Sequence, residues 1–140
     1  MGKRIDNTTC HCLKMRRSAG NVISFYDQIL KPSGVTVRQY SLLFSVSEHD
    51  GCNVRELSEY TELDRSTLAR SLKPLIKADL IADAKDAGAR DSKLSLTEQG
   101  QRVCGEATKL WETAQKKFEE KLGAEWVKVL EDALEMLQTL

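Results

Sequence analysis

Between Asp64 and Ala78 the chain places Arg65, Ser66, Thr67, Arg70 and Lys73 against Leu68, Leu72, Leu75 and Ile76. At helical spacing this is an apolar inner stripe backed by a cationic, hydroxyl-bearing outer face. Arginine can pair bidentately with O6 and N7 of guanine, and serine or threonine can reach bases or phosphates. A helix of about 14 residues is about 21 Å long, enough to lie in a major groove. Further on, Arg90 and Lys93 sit in or beside the turn-rich stretch Asp86-Ala87-Gly88-Ala89-Arg90-Asp91, where a loop tip could reach a minor groove. The remaining reactive side chains are sparse. Cys10-His11-Cys12 has the look of a ligand cluster, but tetrahedral zinc needs four donors, and His49 and Cys52 are distant in sequence, so no metal is expected. There is no Gly-rich phosphate loop, no nucleophile elbow and no HExxH, and the chain has only two His, so neither an enzyme nor a cofactor is expected.

The elements that must carry these residues follow from periodicity and caps. Met15, Ala19, Val22, Ile23, Tyr26, Ile29 and Leu30 place one stripe on a first helix over about 9–31, ended by Lys31-Pro32-Ser33-Gly34. Thr36 with Gln39, and Asn53 with Glu56, are capping-box patterns opening two short helices. The first buries Leu42, Leu43 and Val46; the second is expected to bury Leu57 and Tyr60. Asp64 is a good N-cap for the fourth helix, and Thr61-Glu62-Leu63-Asp64 joins the two at helix-turn-helix spacing. Pro74 inside that helix costs about 3 kcal/mol and is expected to bend it without breaking it. Leu80-Ile81-Ala82 and Leu94-Ser95-Leu96 predict a β-hairpin with a long tip. Thr97 then caps a fifth helix with Val103, Ala107, Leu110, Trp111, Ala114 and Phe118 on one side. After Gly123, a sixth carries Trp126, Leu130, Ala133, Leu134 and Leu137.

With 140 residues, no repeat and no Pro/Gly-rich linker, residues 1–140 read as a single domain. Lys+Arg and Asp+Glu both number 21, but the neutral total hides segregation. Residues 1–31 carry +4, 32–63 carry −3, 64–97 carry +2 and 98–140 carry −3. That excludes a uniformly basic wrapper and leaves a local basic surface open. No apolar run approaches the roughly 18 residues of a spanning helix, and the first 20 residues lack a secretory apolar region. A cytoplasmic location is therefore expected, with the four Cys as thiols at rest.

In this order the elements resemble the MarR family of winged helix-turn-helix regulators over nearly the whole chain. The resemblance is carried by Gly34-Val35-Thr36 through Gln39-Tyr40, Leu63-Asp64-Arg65-Ser66-Thr67-Leu68, Leu72-Lys73-Pro74-Leu75, the Arg90-bearing wing, and Leu96-Thr97 with Gly100. It implies a mainly α fold with a small β-hairpin wing. The winged helix-turn-helix DNA-binding region would cover 36–97, and the dimerisation helices 9–31 and 98–140. It further implies a homodimer binding a pseudo-palindromic duplex, an ion pair between Asp64 and Arg90, and a repressor released by a small, often aromatic, ligand or by thiol oxidation. The family's organic-hydroperoxide-sensing branch aligns its reactive Cys with Cys12 and one thiolate-binding Tyr with Tyr26, while two further Tyr positions are Arg16 and Val37 here. For Cys12 two readings stand: a peroxide-sensing thiol activated by nearby Arg16 and the helix N-terminus, or a small packing residue. Cys52 and Cys104 read as buried, inert thiols, and His11 and His49 as surface or capping residues. The competing reading of the whole is a winged-helix module for protein contact without DNA binding.

Overall fold

The computed structural model describes residues 9–140. Helix α1 spans His11–Leu30 and passes into a 3-10 turn, Lys31–Ser33, that is closed by Gly34 in the left-handed region. Only a residue without Cβ takes that φ of 82° freely. The Asp27 carboxylate then accepts the Val37 N–H at 2.8 Å, fixing the start of α2 (Val37–Glu48) against α1. Both expected capping boxes are formed: Thr36 with Gln39 on α2, and Asn53 with Glu56 on α3 (Val54–Thr61). Helix α4 covers Arg65–Lys77 and runs unbroken through Pro74.

Strands β1 (Ile81–Asp83) and β2 (Leu94–Leu96) form the antiparallel hairpin, pairing Ile81 with Leu96 and Asp83 with Leu94. Cys52 bridges to Leu94, so the loop between α2 and α3 is stitched to the wing root. Helices α5 (Glu98–Leu122) and α6 (Ala124–Leu137) complete the chain, with Thr97 capping α5 and Gly123 separating the two.

One core lies where α2, α3, α4, the hairpin and the middle of α5 meet. Leu30, Leu43, Val46, Leu57, Leu68, Leu75, Ile81 and Leu94 are sealed there. Phe25, Leu110, Trp111 and Phe118 pack around its edge. Two residues expected inside are not. Ile76 is 42% exposed, because it lies about 80° round the helix from Leu68, beyond the width its neighbours cover. Tyr60 is 49% exposed and stacks flat on His49, ring centroids 3.6 Å apart, at the end of α2.

The chain from α4 into α5 is knotted at Leu80. Asp79 takes the left-handed conformation (φ 59°), so the Leu80 N–H reaches the Leu75 carbonyl and the Asp79 N–H reaches Ile76. This Schellman stop satisfies the last carbonyls of α4 and buries Leu80 beside Leu75. The Leu80 carbonyl in turn accepts the Thr97 N–H at 3.1 Å, and the Thr97 hydroxyl donates to the Asp79 carbonyl at 2.6 Å. Gly100 makes the approach possible, because a Cβ there would stand 1.9 Å from the Leu80 carbonyl oxygen. Since that obstacle is backbone, Gly100→Ala is expected to cost about 3 kcal/mol or more, read as a lowered urea midpoint at unchanged slope.

Candidate nucleic-acid interface

The exposed face of α4 is built on Asp64. Its Oδ1 accepts the Thr67 N–H at 2.8 Å and the Ser66 hydroxyl at 2.7 Å, and its Oδ2 accepts the Thr67 hydroxyl at 2.6 Å. The carboxyl therefore lies well below the usual carboxylate range, held there first by the Thr67 hydroxyl, then by the Thr67 amide and the Ser66 hydroxyl. One turn on, Arg70 reaches back to the Thr67 hydroxyl oxygen at 3.4 Å. Arg65, Ser66, Arg70 and Lys73 are exposed and Thr67 half-buried, while Leu68, Leu72 and Leu75 hold the opposite side of the helix in the core.

The Asp64–Arg90 ion pair is not formed. Both carboxylate oxygens are committed to the helix that Asp64 caps, and among the described residues the ion pair present is the exposed Lys128–Asp132. The wing is braced instead by Asp83, whose Oδ1 accepts the Lys93 N–H at 2.8 Å and the Lys85 N–H at 3.3 Å. The Ala84 N–H also donates to the Lys93 carbonyl at 2.8 Å, so the two arms are held together just beyond the strands. Beyond that clamp the chain turns at Gly88, and Arg90 and Lys93 are both exposed.

Sequence reasoning missed Arg38. A cleft of about 780 Å³ between α2, α3 and α4 is lined by Arg38, Tyr60, Leu63, Thr67, Ser71 and Pro74, so this exposed guanidinium shares a surface with α4. The signal available was its place in the first turn after the Thr36 cap; which helix it would face was not readable locally.

The cysteines divide by burial. Cys52 and Cys104 are buried, and burial pushes both thiols up, as expected for inert groups. Cys12 is exposed on the first turn of α1, with Arg16 exposed one turn later. It does not meet Tyr26 within one protomer. Fourteen positions along one helix amount to about 21 Å, and the Tyr26 hydroxyl donates to Gln115 on α5.

Helices α1 and α6 carry apolar side chains that are left exposed among the described residues. These are Met15 on α1 and Trp126, Val129, Leu134, Met136 and Leu137 on α6, with Trp126 65% exposed. Helix α6 buries no residue and packs chiefly on α5.

The Asp64 cap makes a pH prediction. A carboxylate whose folded pKa is depressed contributes its stability above the ordinary value of about 3.9 and loses it as the pH falls below that. Amide protection in the first turns of α4 is therefore expected to be flat above about pH 5 and to decline below about pH 4. In Asp64→Asn, which keeps a capping side chain without an ionisable group, that acid-dependent component should be absent when exchange is followed by NMR.

A family profile described as the MarR family matches residues 33–90, which contain α2 to α4 and the wing as far as Arg90. The HTH-type transcriptional regulator SarZ of Staphylococcus aureus is 30% identical over 93 residues, 66% of this chain and 63% of SarZ. The matched segment thus spans a little under two thirds of that relative's length. The fold is similar to that of the M. tuberculosis transcriptional regulator MosR in complex with DNA: 30% identity, 93% of this chain and 95% of that one covered, TM-score 0.79. It is also similar to PcaV from Streptomyces coelicolor in complex with its natural ligand, at 24% identity, 98% and 97% coverage and a TM-score of 0.83, a likeness of fold.

Proposed function

This chain belongs to the MarR family of winged helix-turn-helix regulators, and from that premise we propose that it is a homodimeric, sequence-specific duplex-DNA-binding regulator of transcription acting as a repressor. The observation that carries the reading is the exposed face of α4. A rigid helix buries its leucines and turns Arg65, Ser66, Arg70 and Lys73 outward, beside a braced wing carrying Arg90 and Lys93. A relative at 30% identity over nearly the whole chain is solved on DNA, which favours this over a protein-contact module. In the bound complex α4 lies in the major groove, with Arg70 on base edges and Lys73, Arg38, Arg90 and Lys93 on backbone or minor groove.

The second copy follows from the uncovered ends. One helix-turn-helix reads few bases; two, spaced about 34–36 Å apart, read both halves of a pseudo-palindrome. Trp126, Leu134 and Leu137 on α6 together with Met15 on α1 supply the apolar surface for that union. Regulation then acts on the separation of the two α4 helices, by a small ligand or by oxidation of a thiol. Cys12, exposed on the uncovered part of α1, is the thiol placed for the latter. The reading places the protein in the cytoplasm with its operator.

Duplex selection followed by salt-dependent titration tests this. Affinity for the selected duplex is expected to fall with salt at a slope of about −0.9 for each neutralised phosphate. Arg70→Ala should lose about 1–3 kcal/mol of discrimination at one base pair per half-site. Binding without sequence preference, or none, would overturn the proposal. In sedimentation, Trp126→Glu should convert the dimer to a folded monomer whose operator affinity is sharply reduced, because a buried unpaired charge is strongly penalised.

A further inference from the structure

We infer that Asp64 fixes the hydrogen-bonding polarity of the recognition face, making Ser66 and Thr67 acceptors toward DNA, so that the site they contact is an exocyclic amino group, adenine N6 or cytosine N4. The inference rests on the DNA-binding reading above and deepens it: it names what the middle of the interface selects.

A serine or threonine hydroxyl has one hydrogen and two lone pairs, while an ionised carboxylate only accepts. The contacts of Ser66 and Thr67 to Asp64, at 2.7 and 2.6 Å, therefore use both hydroxyl hydrogens. What Ser66 presents outward is lone pairs alone. Thr67 is in the same state, with one lone pair already approached by Arg70 at 3.4 Å. The low-lying Asp64 carboxyl remains ionised at neutral pH, so the arrangement is not lost there. Rotating either hydroxyl outward would break a charge-assisted bond, roughly twice as strong as a neutral one.

The partners that fit are few. Phosphate oxygens, guanine O6 and N7 and thymine O4 are acceptors, and against Ser66 they would set lone pair against lone pair. Only the amino groups of adenine and cytosine donate in the major groove. Arg70 brings the opposite polarity one turn further along α4. Four residues of helix are about 6 Å, against a base step of about 3.4 Å, so the acceptor and the donor fall within about two base pairs of each other. The face thus presents an acceptor and then a donor, complementary to an adenine or cytosine lying close to a guanine.

The test uses the full-length dimer and duplexes selected from a random pool. Ser66→Ala identifies the position at which Ser66 acts, as the base pair whose preference flattens. There the native protein is expected to select adenine or cytosine. Replacing that base by its analogue lacking the amino group, purine for adenine or pyrimidin-2-one for cytosine, should weaken binding about 3- to 10-fold, the value of one hydrogen bond. Asp64→Asn keeps the cap through Oδ1, which still accepts the Thr67 N–H and the Ser66 hydroxyl, while its amide takes the place of Oδ2 and donates to the Thr67 oxygen, freeing that hydroxyl's hydrogen. A base preference set by Thr67 should move to guanine or thymine in this variant, and the one set by Ser66 should stay. The inference is overturned if no position flattens in Ser66→Ala, if the flattened position prefers guanine or thymine in the native protein, or if removing the amino group changes affinity less than about twofold. Failure to select any duplex would instead overturn the DNA-binding reading and this inference with it.

Discussion

The Leu80 carbonyl is where the two halves of the molecule are fastened. A left-handed Asp79 stops α4, the Leu80 N–H closes back onto Leu75, and the same residue's carbonyl is taken by the first turn of the segment leading into α5. Gly100 has to be a glycine for that carbonyl to fit against α5. Helix α4, the wing root and the long helix α5 therefore share one backbone junction. Under the proposed reading, this junction is the route by which a shift of α5 would reach α4. Such a connection is what the proposed regulation of the α4 separation requires.

Around that junction the sequence uses short-range devices to place long-range function. Asp27 accepts the first free amide of α2, Asp64 caps α4, and Asp83 clamps the arms of the wing. These carboxylates accept from backbone amides and hydroxyls, Asp27 across to α2 and Asp64 and Asp83 within their own segments, and among the described residues none of them forms an ion pair with a neighbouring cation. Acidic residues thus stiffen the surface without neutralising it. A net charge of zero is compatible with a local cationic face for this reason.

The uncovered apolar ends complete the picture. In a single-chain view α6 is a helix with no buried residue, which would be a poor use of Trp126, Leu130 and Leu134. The hydrophobic effect is the driving force for the second copy proposed above.

Much of the fold was legible in the residues themselves. The capping pairs Thr36–Gln39 and Asn53–Glu56, the Asp64 cap, the hairpin and the apolar stripes of α2, α4 and α5 involve partners a few positions apart, where spacing alone fixes the contact. The cationic face of α4 followed from the same periodicity. What periodicity does not contain is how wide a stripe the neighbouring elements cover, so Tyr60 and Ile76 were misplaced inside. Nor does it say which of two partners a group will take. Asp64 bonds its own helix and not Arg90, since the local bonds order no further chain. Tyr26 bonds Gln115 across the α1–α5 contact, and Arg38 joins the surface of α4 only because α2 packs there. The sequence alone determined the elements and the chemistry each offers. The tertiary structure decided which of those groups meet, because contacts between residues far apart in the chain depend on how complete helices pack.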